Sequence, residues 1–240
     1  MDRFTLQSLN EARRQRQAAI LITNLASGVV RLVRENDLGL DLMIEPALSQ
    51  ILPQRFRSAH SGLVETAEGD QFFLTVHVPP PRLVVIGAVH ISQALAPMAR
   101  IAGFDVTIID PRTAFATPER FADVALVPHW PEDALKRVPL DPFTAVAALT
   151  HDPKIDDLPL QAALAANCFY VGALGSRKTH AKRVERLLTA GVDAADVAKI
   201  RAPIGLAIGA QSPAEIAVSV LAEVVDALRK RGAIASGDAA

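Results

Sequence analysis

From Arg82 onward, short apolar runs alternate with stretches of helical spacing, and nothing else in the chain restricts its fold so strongly. The runs "LVVIG", "DVTIID", "VALVPHW", "TAVAALTHD" and "FYVGALG" are nearly continuous in apolar residues, as strands are when both faces of a sheet are covered. Between them lie "ISQALAPMARIAG", a short helix from Pro131, "DLPLQAALAANC" and the basic "SRKTHAKRVERLLTAG", and "SPAEIAVSVLAEVVDALRK" closes the series. Ser212, Pro213 and Glu215 give that last helix a cap, a first-turn proline and a capping-box partner. Pro97 is expected to kink the first of these helices or to leave it short of a hydrogen bond. The alternation predicts an α/β fold: a Rossmann-like, doubly wound, mostly parallel sheet with helices on both faces.

The chain ahead of this series reads as a small mixed α+β segment, residues 1–78. Ser8 and Glu11 form a capping box for a helix through about Gln17. "AAILITN" and "GVVRLVR" are strands around a turn at Ser27-Gly28, "DLMIEPALSQIL" is a weak helix interrupted at Pro46, and "GLVETAEGDQFFLTVHV" is a hairpin turning at Glu68-Gly69-Asp70. So short a segment is expected to lean on the later part of the chain for its core. Pro79, Pro80 and Pro81 form a stiff linker, the Rossmann-like domain spans 82–231, and the tail 232–240 is expected to fray.

Composition narrows the function. The chain has 240 residues, half of them hydrophobic, and a net charge of −1, which argues against a nucleic-acid or membrane surface. Cys168 is the only cysteine, so no internal disulfide can form and a reducing cytoplasm is the simple expectation. It is expected to be buried beside Phe169. The polar first residues hold no signal-peptide core, and no apolar run is long enough to span a bilayer.

In doubly wound sheets, ligands bind beyond the carboxyl ends of the strands. His90, His129, His151 and His180 all follow predicted strands closely, as does Trp130. The turn after the first strand is Gly87-Ala88-Val89-His90, where a dinucleotide fingerprint has G-x-G-x-x-G. Gly87 makes the tight turn, but Val89 and Ser92 stand at the second and third glycine positions. Val89 crowds the approach of a pyrophosphate, so tight NAD(P) binding is disfavoured, and Val89→Gly is expected to raise NAD(H) affinity. Asp110 lies where a ribose-binding acid sits in dinucleotide folds; pairing with Arg112 is the other reading. "GALGSRKTHAKR" carries the phosphate signal: Gly172 and Gly175 for a flexible turn, Ser176 as N-cap, and Arg177, Lys178 and His180 in the first helical turn, where an anion would offset cations set against the helix dipole. Lys182 is expected to face solvent. "THDPKIDD" reads as a turn at Asp152-Pro153 with Asp156 or Asp157 capping the next helix, rather than as a metal site. No nucleophile–base pair can be read from spacing.

Four motifs, "LVVIGAVHISQALAPMARIAGFDVTIIDPRTAFATPERF", "LTHDPKIDD", "FYVGALGSRKTHAKR" and "APIGLAIGAQSPAEIAVSVLAE", occur in the order seen in the XdhC/CoxI family, which this sequence resembles from about Pro79 to Arg229. The resemblance implies an accessory factor for molybdenum hydroxylases such as xanthine dehydrogenase. It implies a chaperone rather than an enzyme, one that binds molybdenum cofactor, assists its sulfuration and delivers it to the apo-enzyme. Implied partners are the apo-hydroxylase, a cysteine desulfurase, a longer family member and a second copy in a homodimer. The residues expected to hold the cofactor are Gly87, His90, Asp110, Arg112, His151, Gly172, Gly175, Ser176, Arg177, Lys178, His180 and Glu215, with His151 near the metal. Many members have G-A-G-H where this chain has Gly87-Ala88-Val89-His90, and longer ones carry a glycine-rich N-terminal stretch, so this chain resembles a short form. Two other functions fit the residues: an NAD(P)-dependent oxidoreductase, and a scaffold joining desulfurase to hydroxylase without cofactor.

Overall fold

A computed structural model of the protein describes residues 1–38 and 44–231. The expected tail, and the first part of the helix expected over "DLMIEPALSQIL", lie outside the described residues. The described residues divide into two compact units, Pro80–Leu228 and Met1–Pro79 with residues 229–231.

The larger unit contains a five-stranded parallel sheet in the order β7-β6-β5-β8-β9. Its strands are β5 (Arg82–Ile86), β6 (Asp105–Ile109), β7 (Ala125–Val127), β8 (Thr144–Ala148) and β9 (Tyr170–Ala173). β5 pairs with β6 on one side and β8 on the other, so the strand order reverses beside β5, the position where such sheets open a crevice. Side chains alternate between two cores. Leu83, Val85, Ile108 and Ala147 pack with α3 (His90–Ile101) and α8 (Pro213–Lys230) through Leu95, Val220 and Val224. Val84, Ile86, Val146 and Val171 pack on the opposite face with Ala134 of α4 (Pro131–Arg137), Leu160 and Leu164 of α5 (Pro153–Ala165), Leu187 of α6 (Arg177–Thr189) and Val197 of α7 (Ala194–Val197). Helices thus cover both faces of the sheet. α3 runs through Pro97 without breaking, because Pro97 is exposed while Leu95, Ala96 and Ala99 are buried.

The smaller unit has an antiparallel sheet, β2-β1-β4-β3, formed by β1 (Ala19–Asn24), β2 (Val30–Arg34), β3 (Gly62–Glu65) and β4 (Gln71–His77), with α1 (Arg3–Arg14) and α2 (Pro46–Ser58). It has a cluster of its own, Leu9 and Ala12 of α1 against Ala19 and Leu21, and α2 buries Leu48, Leu52 and Phe56. A 3₁₀ turn, Glu35–Asp37, follows β2.

Several local expectations are corrected. α1 starts earlier than the Ser8–Glu11 pair implies, because Asp2 caps it by accepting from Thr5 N–H. Pro46 opens α2 rather than interrupting a helix, as proline does at a first turn, where its missing N–H costs nothing. Asp152, rather than Asp156 or Asp157, caps α5. Gly172 lies inside β9 and not in the turn after it; a Cβ there would come within 2.7 Å of Ile204. The Pro79–Pro81 stretch is already tied to the sheet at its end, where the Pro81 carbonyl accepts from Asp105 N–H. Among the described residues, no helix is long and apolar enough to cross a membrane.

Candidate functional site

Three loops at the carboxyl edge of the parallel sheet carry most of the residues picked out by sequence. The first joins β5 to α3. Gly87 has φ +116°, and a Cβ there would meet Thr150 Cγ2 at 2.7 Å, so only glycine fits. The backbone donors of this turn are engaged from within. Gly87 N–H donates to Ile109 O (2.8 Å), Ala88 N–H to Asp110 Oδ2 (2.7 Å) and Val89 N–H to Ser92 Oγ (2.8 Å). The buried Ser92 hydroxyl donates in turn to Gly87 O. These three donors are thus engaged within the protein, while the N–H groups that a pyrophosphate meets in a dinucleotide fold are those of the helix start that follows.

Asp110 is fully buried at the end of β6. Besides Ala88 N–H, it accepts from Arg112 N–H, Nε and Nη2, all within 2.9 Å. Burial pushes its carboxyl pKa up, but the hydrogen bonds from Arg112 and Ala88 outweigh burial and hold it below the ordinary 3.8. Of the two roles read for Asp110, the pairing with Arg112 is the one formed. Both oxygens each hold two hydrogen bonds, and neither is left to meet a ribose. Arg112 also stacks over Phe115, 4.8 Å from the ring centre. His90 stands exposed at the start of α3.

The second loop, Thr150-His151-Asp152, follows β8. Thr150 Oγ1 donates to Asp156 Oδ1 (2.7 Å) and accepts from Asp152 N–H. His151 takes the left-handed conformation, φ +64°. This turns its ring toward the third loop: His151 Nδ1 lies 3.5 Å from where a Cβ on Gly175 would stand, and Gly175 itself has φ +132°. Ser176 caps α6 as expected, accepting from Thr179 N–H.

Between α5 and α6 lies a cleft of about 360 Å³. Asp156 and Asp157 line it from α5, and Lys178, Lys182, Arg183 and Arg186 from α6, with His151 at its edge. Arg186 grips Asp157 with two hydrogen bonds, Nε to Oδ2 (2.6 Å) and Nη2 to Oδ1 (2.9 Å), and so ties the helices together. Arg183 is 2% exposed. Its Nη2 donates to Leu174 O (2.9 Å), whereas its Nε and Nη1 have no hydrogen-bond partner. Asp156 is also buried and its Oδ2 is unpartnered; burial raises its pKa above the ordinary carboxylate value. Arg183 and the buried His180 Nδ1 are shifted the other way, His180 by burial and then by the charge of Arg183.

The structure therefore brings His151, Gly175 and Lys178 to one place, with Ser176 capping the adjacent helix. Arg177 is exposed and, like His180, is not part of the cleft lining. Gly172 is packed in the sheet. Glu215 is engaged at the start of α8, accepting from Gln211 and Ser212 N–H. Lys182 is exposed, as expected, and also lines the cleft. Arg183, which the sequence shows only as part of the basic run "SRKTHAKRVERLLTAG", is buried. The available signal was helical spacing: Lys178, Lys182 and Arg186 recur every four residues, and Thr179 and Arg183 share the adjoining stripe. Among the described residues, no three His, Cys, Asp or Glu side chains gather as a metal-binding group.

The family model for the XdhC Rossmann domain matches residues 83–224. Over 157 residues the chain is 36% identical to a probable xanthine dehydrogenase subunit of Bacillus subtilis, a match covering 65% of this chain and 45% of that one. It is 35% identical over 146 residues to the molybdenum cofactor insertion chaperone PaoD of Escherichia coli, covering 61% and 40%. An uncharacterized Escherichia coli protein, YqeB, is 34% identical over 158 residues, covering 64% and 28%. The matched region thus spans less than half of each of these relatives. Among solved structures, a xanthine dehydrogenase from Bacillus halodurans shares the fold with a TM-score of 0.64 at 23% identity, over 98% of this chain and 69% of that one.

Proposed function

The chain belongs to the XdhC family, and from that membership and its site we propose that it binds molybdenum cofactor and helps insert it into a xanthine dehydrogenase-type hydroxylase. The observation that carries this reading is the cation-lined cleft between α5 and α6, beside a turn where Val89 stands in place of the glycine that admits a pyrophosphate. A branched side chain there does not suit a dinucleotide, and a cleft rich in Lys and Arg suits a compact ligand with a single anionic end. When bound, the cofactor supplies the molybdenum centre on which the hydroxylase depends. The chain's own part is to hold and orient it: the anionic end on Lys178 and Lys182, His151 at the rim, and exposed His90 on the neighbouring loop.

Support also comes from PaoD, a molybdenum cofactor insertion chaperone by name. The apo-hydroxylase is the partner this reading requires. Sulfuration, a cysteine desulfurase, a longer family member and a homodimer belong to the same proposal, as does a cytoplasmic location. The test is direct. The purified protein is incubated with molybdenum cofactor, gel-filtered and assayed for molybdenum and pterin, and the loaded protein is then mixed with apo-hydroxylase. Co-elution in stoichiometric amount and recovery of hydroxylase activity are expected. Recovery of activity without any retained cofactor would favour a scaffold, and tight NADH binding with hydride turnover would favour an oxidoreductase.

A further inference from the structure

We propose that the α5–α6 cleft is a seat for a phosphate monoester dianion, built on the buried guanidinium of Arg183 with Lys178 and Lys182 at its mouth. This deepens the preceding reading and rests on it for the identity of the molecule, though not for the chemistry of the seat.

A cationic helix start alone would not make a site. The independent observation is Arg183, which is 2% exposed and lines the cleft. It keeps Nε and Nη1 without partners. A buried guanidinium with unmet donors is costly unless something accepts from it. Asp156 lines the same cleft and feels the charge of Arg183, but no hydrogen bond joins them: its Oδ1 is held by Thr150 and its Oδ2 is unpartnered. The charge count is informative as well. Four cationic side chains and two carboxylates line the cleft, and the Asp157–Arg186 pair neutralises itself. The surplus is two positive charges, which a phosphate dianion balances. Lys178 and Lys182 are both exposed, and they sit one turn apart on α6, so they can converge on one phosphate from the same side. First-turn residues of both helices, Pro153 and Asp156 of α5 and Lys178 and Thr179 of α6, are part of the lining, and there the helix dipoles favour negative charge.

The test uses the full chain with inorganic phosphate and glycerol phosphate as probes, read by thermal shift and calorimetry against acetate at equal ionic strength. Phosphate at tenfold excess over its Kd should raise Tm by roughly 3 °C, and acetate should not. Lys178→Ala/Lys182→Ala should weaken phosphate binding at least tenfold while leaving the ligand-free Tm within about 1 °C, since both side chains are exposed. Arg100→Ala, exposed at the end of α3, should bind phosphate as the wild type does. Arg183→Gln should abolish binding, and the double lysine variant keeps the test decisive if Arg183→Gln does not fold. An equal response to acetate, or full phosphate affinity in the double variant, would overturn the seat. If the double variant loses phosphate binding while the wild type fails to retain molybdenum cofactor, the seat stands and the cofactor reading falls. If the cofactor is retained but phosphate binding ignores both lysines, the cofactor reading stands and the seat falls.

Discussion

Asp110 shows how a residue that looks like a ligand group can instead hold a turn in place. Its position relative to Gly87 was legible in the sequence. Its four hydrogen bonds were not, because they depend on where β6 ends relative to the β5–α3 loop. Asp110→Asn removes a charge that faces Arg112, whose side chain is 36% exposed. Screening trims the loss, so we expect about 2 kcal/mol at pH 7 in denaturant unfolding. The folded pKa lies below the unfolded value of 3.8, so this stabilisation is present above 3.8 and is lost as pH falls through the folded value. The gap between wild type and Asp110→Asn should therefore hold from pH 7 to 5 and shrink below 4; a gap that does not change with pH would refute the assignment. The turn also revises the expectation for Val89. Because both Asp110 oxygens are held by Ala88 and Arg112, Val89→Gly alone should leave NAD(H) affinity in calorimetry as weak as in the wild type. Widening the approach frees no acceptor for the ribose.

At the scale of elements, the strands and long helices of the larger unit were legible from their periodicity, since burial on both faces leaves few polar residues. Ends were less legible. Asp2 takes the cap expected at Ser8, because the first turn of α1 lies further upstream than its apolar spacing suggests. Pro97 illustrates the limit of a local rule: packing of Leu95, Ala96 and Ala99 against the sheet outweighs one missing helical hydrogen bond. Since Pro97 is exposed, Pro97→Ala should restore a donor to the carbonyl of Gln93 at no packing cost. We expect a gain of roughly 1 kcal/mol or more in stability, visible as a higher denaturant midpoint. An unchanged or lower midpoint would mean that the ring stabilises the helix in some other way. The α5–α6 pair was the least legible part of the site. A cationic stripe on one helix was visible in the sequence, but the two carboxylates it faces come from another helix, and only the sheet brings them together.

For the whole molecule, the α/β architecture followed from the strand–helix alternation, while the smaller unit was underestimated. Its strands come from sequence stretches separated by α2, and their antiparallel order places β1 between β2 and β4, a pairing that local patterns do not reveal. This segment buries residues of its own around Leu9, Leu21, Leu52 and Leu74. The parallel sheet, the cleft and both helix layers, apart from the last two residues of α8, lie within Pro80–Leu228. A fragment of residues 80–231 should therefore unfold in one cooperative transition by circular dichroism and keep the phosphate response of the full chain. A broad, non-cooperative melt would show that the larger unit depends on the rest of the chain.

Thr150 touches two loops at once: its methyl group fills the space a Cβ on Gly87 would need, and its hydroxyl holds Asp156 at the cleft. Substitutions at these positions should accordingly be epistatic. Gly87→Ala should be severely damaging in the natural background and only partly relieved by Thr150→Ser, which deletes the methyl and keeps the hydroxyl but leaves the strain of φ +116°. A lineage in which position 87 drifts from glycine would then need the change at 150 first, so the order of mutations, and not only their sum, decides which relatives of this turn can arise.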